Sequence, residues 1–491
     1  MSDELKCECT DCSRETTSYE RSLTNSNKCI FHCEKDKWDK SSNIDFEKIE
    51  YFWKEVREYI RYIDSNKPEA NYLKCPSQKA KKKKIYIFDK FIFPASEDDS
   101  GNFENLYEDK NFFTKNYGYI FSKELKFNEC EFLDVVNFIN VRFESDVEFE
   151  NCIFKKEVQF NGIYSEGNFK IITSVVNYGK EDYFIQKIDF PGAVFKDNVK
   201  LKRLILNKSD FDNCIFEKES DFYKTEFKLT SFKRTRFCGN CIFDKTIIYD
   251  TFDTYNLEKQ NKKSEDKIKF NFTKFEGITT FYKTVFIKKL DLINTYFYDK
   301  VNFLDISSNK YIYKKVNVKN RETARIIKNS FEQQNNIIEA NKFYALEMKE
   351  MENELEFINR PFEWLVFKIH GLASNHSQDW FLASLWVILF GMLLTVCKTD
   401  IGTGVNIFFC IVPFLYKYLK KYMFIVFYSL YFLFMNSINK HPLDDFASNI
   451  NPFSIMTSAD KLNFTELVFK IIIAFLIYQL IVSIRQNTRR K

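Results

Sequence analysis

Large apolar residues recur through the middle of the chain at steps of five and six. Phenylalanine stands at 121, 127, 132, 138, 143, 149, 154 and 160. The register lapses around 170–185 and resumes at Phe190, Phe195, Leu201, Leu206, Phe211, Phe216, Phe222, Phe227, Phe232, Phe237, Phe243 and Ile248. The polar stretch Asn256–Lys267 interrupts it again before Phe270, Phe275, Phe281, Phe286, Leu292, Phe297 and Phe303. Two residues before most of these the side chain is small, as at Cys130, Cys152, Cys214, Cys241, Val136, Val158, Thr225, Thr235 and Thr284. Small at i−2 and large at i is period-two alternation, so each unit is a very short strand with both residues facing inward. Each step of five or six then turns a corner. A helix would scatter these side chains around its axis. The four cysteines in this register read as small core residues.

Outside the repeat the pattern changes. Ile44–Ile63 places Phe46, Ile49, Trp53, Val56 and Ile60 at helical spacing. Arg321–Arg360 has no Gly or Pro, begins behind Asn320 as an N-cap, and carries the rows Ile327/Phe331/Ile338 and Ile337/Tyr344/Met351/Leu355. One long amphipathic helix is expected there, covering the last coil of the repeat, whose sheet edges need a cap. From Trp380 the chain turns apolar, with an uncharged run Trp380–Cys397 followed by Val405–Leu419, Met423–Met435 and Phe464–Ile484. The first and last reach spanning length; the middle two are short. Lys417, Lys420 and Lys421 between the middle runs, and Arg485, Arg489, Arg490 and Lys491 after the last, fit four spans with both termini in the cytosol. Two spans and a re-entrant hairpin is the competing topology. Pro361–Leu372 is placed in the interface on Trp364, Leu365 and Phe367.

Segments such as FNECEFLDVVNFINVRFESDVEFENCIFKKEVQF resemble the pentapeptide-repeat proteins of bacteria, in a looser variant with alternating five- and six-residue steps. The resemblance implies an all-β, right-handed, four-sided β-helix over about 121–303, with a lead-in at Phe88–Phe93. About eight coils at roughly 4.8 Å each make a rod on the order of 40 Å long. The strings NNIIEANKFYALEMKEMENEL, SNHSQDW and FLIYQLIVSIRQNTRR resemble membrane-anchored members of small low-GC bacterial genomes, some described as channel-like. That implies a multipass protein of the bacterial inner membrane, with its N-terminal domain and C-terminus in the cytoplasm. Other members of the family mimic DNA and protect topoisomerases through an acidic rod. Here residues 121–150 are net −5 while 121–303 sum to about +1, so this stays a distant alternative.

Composition narrows the chemistry. Twelve Gly and four His among 491 residues leave no Gly-rich phosphate loop and no Ser/His/Asp set, and the expectation is a protein that is not an enzyme. A net charge of +5 is too small to argue for nucleic acid. The N-terminus has no signal-peptide pattern, and the thirteen cysteines are expected reduced, metal-bound or packed. Five lie early: Cys7, Cys9, Cys12, Cys29 and Cys33, with His32 beside the last. Cys9-x-x-Cys12 and Cys29-x-x-His32-Cys33 have the spacing of two knuckles of a structural zinc site, with Cys9, Cys12 and Cys29 as ligands, Cys33 or His32 as the fourth, and Cys7 spare. The alternative is a disordered tail with free thiols. Lys79 and Lys81–Lys84 form a basic run read as a solvated loop.

The resulting domains are a Cys/His knuckle (1–40), a helix, basic run and lead-in (41–120), the repeat β-helix (121–310), a long helix (320–360) and a membrane region (361–491). The expected function is a membrane-anchored binding module whose solenoid meets an unidentified protein partner and whose bundle either anchors it or acts as a regulated ion-channel-like element. The alternative is a passive tethered scaffold. No T-V-G-Y-G filter is present, and a pore would need several copies of the chain.

Overall fold

The computed structural model describes residues 5–8, 12, 15–16, 18–24, 27–35, 38, 43–64, 85–94, 120–174, 183–251, 267–310, 316–398, 429, 433, 442–453 and 464–488. Two compact units divide the chain, Met1–Lys319 and Asn320–Lys491. The helices in chain order are α1 (Ser18–Thr24), α2 (Asn43–Asp64), α3 (Arg321–Gln333), α4 (Ile337–Glu354), α5 (Pro361–Ser374), α6 (Trp380–Lys398), α7 (Pro442–Ile450) and α8 (Phe464–Thr488).

The first unit is built of stacked parallel strands, most only two residues long, on four faces. The first face holds nine strands, from Tyr86–Asp89 to Val301–Asn302, and the fourth holds eight, from Ile120–Phe121 to Tyr296–Phe297. The second face starts as three strands around Glu131–Phe132. It continues in Phe184–Asp189, Ile205–Asp210 and Glu226–Ser231, which bend round a corner and also serve the third face. In-register partners show the repeat directly: Phe127 lies between Phe88 and Phe149. Residues 85–94 are thus part of the β-helix itself. The two lapses fall mainly on 175–182 and 252–266, outside the described residues, as does the basic run Lys79–Lys84.

Of the 27 large apolar residues in the register, all but Phe297 are buried. The rings stack coil on coil, for example Phe222 on Phe243 at 4.8 Å and Phe243 on Phe281 at 5.2 Å, with planes within 15° of parallel. The small i−2 residues do more than fill space. Thr235 donates its hydroxyl to Phe211 O at 2.6 Å, Thr284 to Phe243 O at 2.6 Å, and the Cys214 thiol to Phe190 O at 3.0 Å. Each therefore adds a second donor to a corner carbonyl of a neighbouring coil, which also accepts the backbone N–H three residues on within its own turn. Burial pushes the Cys130, Cys214 and Cys241 thiols up, so they stay protonated donors.

The first coil has a cap. Phe31 stacks on Phe91 at 4.3 Å, and Ile92 N–H donates to Phe31 O. From α2, Phe52 and Trp53 pack on Phe93, and the Tyr59 hydroxyl donates to Ile87 O at 2.8 Å. An apolar face of α2 and a cysteine-rich turn thus cover an edge that would otherwise pair with another chain.

In the second unit, the stretch expected as one long helix is two. Asn335 takes a left-handed conformation (φ 57°) and Asn336 caps α4, accepting from Glu339 N–H. Asn tolerates φ > 0 and caps well, so an Asn-Asn pair breaks a helix without Gly or Pro. The helices α3 and α4 fold against each other through Phe331 and Phe343, with Lys328 and Arg321 paired to buried Glu347. Among the described residues one helix is long and apolar enough to cross a bilayer, Phe464–Gln486 within α8. The apolar part of α6, Trp380–Leu394, is shorter. The runs Val405–Leu419 and Met423–Met435 lie outside the described residues but for 429 and 433, so the described chain shows one such helix rather than four. The short α7 packs on α6 so closely that a Cβ at Gly391 would come within 2.7 Å of Ile450 and 2.9 Å of Phe446.

Candidate metal centre

Four ligand-bearing side chains converge beside the first coil: Cys7, Cys12, Cys29 and His32, all buried, with one ligand atom from each lying within 4.8 Å of the others. Cys7 and Cys12 lie between two tiny antiparallel strands, Leu5–Lys6 and Glu15–Thr16. Cys29 opens a tight turn in which His32 and Cys33 both donate their N–H to Cys29 O, which puts the His32 ring on the same side as the Cys29 sulfur. Glu20 of α1, fully buried, accepts from Ile30 N–H at 2.6 Å and holds that turn in place.

The donor set fits a tetrahedral d¹⁰ cation. Zinc–sulfur bonds of about 2.3 Å give a sulfur–sulfur edge of about 3.8 Å, and Cys12 Sγ lies 3.8 Å from Cys29 Sγ. His32 Nδ1 is 3.1 Å from Cys29 Sγ, while its Nε2 faces Asp89 O at 3.1 Å. A carbonyl on the second ring nitrogen fixes the tautomer, as metal-bound imidazoles require. Cys29 N–H points at Cys7 Sγ at 3.1 Å, a donor that steadies a thiolate. Contacts with Cys12 and Cys7, then burial, push the Cys29 thiol up. Three crowded sulfurs cannot all ionise without a cation between them. A bound zinc would link strand, turn and solenoid as a structural tie.

The expected ligands map unevenly onto this centre. Cys12, Cys29 and His32 come together. Cys9 lies outside the described residues, and Cys7, expected to be spare, joins the cluster instead. Cys33 turns aside: its thiol donates to Ile30 O at 3.6 Å and burial raises its pKa. Beside it Lys35 is buried, donates to Phe31 O and Cys33 O, and is pushed down to about 8 by desolvation. The clean Cys9-x-x-Cys12 spacing outweighed Cys7-x₄-Cys12 in the sequence. The choice between them depends on the strand pair, which periodicity does not reveal.

A second polar cluster lies in the second unit. Asn375, His376 and Ser377 all have positive φ, and this left-handed turn swings His376 back over α5. His376 Nδ1 lies 3.3 Å from His370 Nδ1, and its Nε2 is 3.1 Å from Glu352 Oε2. The chain continues from His370 Nε2 to Ser377 Oγ (3.2 Å), while Ser374 and Ser377 both donate to Gln479 Oε1 on α8. Burial lowers both histidine pKa values, so both rings are neutral at pH 7. Nothing in spacing alone folds His376 onto His370, so the sequence does not point to this cluster.

Residues 119–163 match the family model of pentapeptide repeats (9 copies). No curated protein matches the chain, and no solved structure does. The matched segment lies inside the stack of parallel strands, an arrangement consistent with a pentapeptide-repeat β-helix.

Proposed function

We propose that the chain is a membrane-tethered interaction module, with the solenoid presenting its faces to a protein partner and the second unit holding it at a bilayer. One observation carries the tether. Along α8 the side chains of Phe464, Leu467, Val468, Ile471, Phe475, Tyr478 and Ile481 are exposed in a continuous apolar column, while Ile473, Leu476, Gln479 and Ser483 are buried against the unit. A soluble helix packs such a column inward; one in lipid leaves it outward. On α5, Phe362, Leu365, Val366, Ile369 and Leu372 are exposed at helical spacing and suit an interfacial position. Two further spans in 399–441, a bacterial inner membrane and cytosolic termini complete this reading.

The tether is favoured over a channel because the polar groups of the unit are satisfied by one another. Lys470 donates to Ser448 O and Asn451 O at the C-terminal end of α7, and Gln479 is held by two serines. Such groups glue helices together rather than coordinate ions. The test is flotation of the full chain with phospholipid vesicles beside a chain ending at Arg360. The full chain should float and resist alkaline extraction while the shorter one stays in the dense fraction. Alkaline release of the full chain, or equal flotation of both, overturns the tether. Ion flux through vesicles of the full chain makes it a channel instead.

A further inference from the structure

The fourth face of the solenoid changes character along its length. Its outward column runs Arg142, Tyr164, Val194, Ile215, Arg236, Lys274 and Tyr296, each beside the next in register. Two residues on, a second column carries Glu144, Glu166, Lys196, Glu217, Cys238, Glu276 and Tyr298. In the earlier coils these charges are paired, Arg142 with Glu166 across the two columns and Lys196 with Glu217 within the second. Past Glu217 the second column holds a single carboxylate, Glu276, which Arg236 engages through two hydrogen bonds of 2.6 and 3.2 Å. Arg234 and Lys274 form no ion pair among the described residues. Here the surface opens into a groove of about 690 Å³ lined by these cations, Ile215, Phe272, Tyr296 and Tyr298.

The aromatic side chains there are as unusual as the charges. Phe272, Tyr296 and Tyr298 are 47%, 43% and 65% exposed and make no ring contact among the described residues, in a unit whose phenylalanines otherwise stack. Phe272 also sits at φ 56°. The same corner is Asn140, Gly162, Gly192, Asn213, Arg234 and Asn294 in other coils, mostly residues that adopt this conformation easily. Phe272 is the only apolar side chain at positive φ among the described residues. A bulky apolar ring at this backbone angle, with nearly half its surface in solvent, gains little from packing and points to a role in recognition.

We propose that this groove docks a short, extended, acidic segment of a partner protein, its carboxylates on Arg234 and Lys274 and its apolar side chains on Phe272, Tyr296 and Tyr298. The inference rests on the reading of the solenoid as a binding surface and names its partner class. Exposed aromatics beside unpaired cations are the composition of interface hot spots. A single-stranded nucleic acid also favours cations and rings, but it needs a basic track to follow. This groove is short, and a polyanion leaving it towards the earlier coils would run onto Glu217, Glu166 and Glu144.

The test is selection of a random-peptide library on the full chain in lipid nanodiscs, followed by anisotropy titration of the recovered peptides. Two variants are compared, Phe272→Asn and Arg234→Asn with Lys274→Glu. The Asn substitutions keep the corner conformation that Asn adopts in neighbouring coils, and unchanged circular dichroism confirms the fold. Recovered peptides should be rich in Asp and Glu and lose at least about tenfold in affinity on the double variant and about fivefold on Phe272→Asn. Peptides without acidic bias, or acidic peptides that bind wild type and double variant alike, overturn the groove while leaving the solenoid as a binding surface. Recovery of no peptide overturns both readings. Displacement of the peptides by a short single-stranded oligonucleotide at equal or lower concentration assigns the groove to nucleic acid instead.

Discussion

Replacing Cys29 by Ser should detach the N-terminal cap from the solenoid. Cys29 is the hub of the centre, within 3.8 Å of Cys12 Sγ, 3.1 Å of His32 Nδ1, and bonded through its N–H to Cys7 Sγ. Without the metal, the turn that presents Ile30 and Phe31 loses its link to Cys7 and Cys12 and keeps only single hydrogen bonds, such as that from Ile30 N–H to Glu20, and the packing of Phe31 on Phe91. Both side chains are fully buried. Burying each is worth about 1.5–3 kcal/mol, so the cap loses about 3–6 kcal/mol of local stability. At about 1.4 kcal/mol per decade, that is two to four decades in the opening constant. Hydrogen exchange of the Ile92 amide, which donates to Phe31 O, reads this opening directly. In the zinc-loaded chain it should be protected, and Cys29→Ser or a chelator should speed its exchange by about 10²–10⁴. The Phe243 amide, deep in the stack, should not change. Cys7→Ser should abolish metal binding, while Cys33→Ser should keep it, because that thiol faces Ile30 O. A chain that binds no stoichiometric divalent metal, or an Ile92 amide indifferent to chelation, refutes the reasoning.

Three other outcomes follow from the packing and charge. Phe243→Ala removes a fully buried ring stacked on both sides and should cost about 4 kcal/mol in denaturant unfolding, against about 1–2 kcal/mol for half-buried Phe297→Ala. Gly391→Leu drives a side chain into Phe446 and Ile450 and should destabilise the second unit by about 1–3 kcal/mol, seen as a lower Tm in detergent. His370 and His376 face each other, Glu352, Lys349 and Lys368, and their folded pKa values lie below the ordinary 6.5. The unfolded chain therefore takes up protons first, so their contribution to stability is complete above about pH 6.5 and is lost as pH falls through the lowered values. Proteolytic sensitivity between α4 and α6 should rise on acidification below that pH, and a His370→Gln, His376→Gln variant should flatten the dependence.

The solenoid was legible because its physics is periodic. A fixed step, a small residue two positions before a large one and a wealth of phenylalanine leave one backbone that buries them all. The hydroxyl and thiol bonds to corner carbonyls were not legible, since small residues look alike in a pattern. The helix break at Asn335–Asn336 escaped notice because capping, not Gly or Pro, made it. Cys7 was set aside because ligand choice follows from which strand returns beside Cys29, a long-range fact. The groove was invisible for a related reason: Arg234, Phe272 and Tyr298 sit far apart in sequence and become neighbours only when coils stack. The fold of the middle was therefore written locally, whereas both candidate sites are written in contacts between distant segments.

Whether α8 faces lipid is read most directly by nitroxide labels at Phe475, Tyr478 and Ile481, with Ile473 as the buried control. In vesicles, the three outward positions should collide freely with oxygen and weakly with a water-soluble nickel complex, while Ile473 should be shielded from both. Greater nickel than oxygen accessibility at the outward positions would contradict lipid contact and place the helix in water.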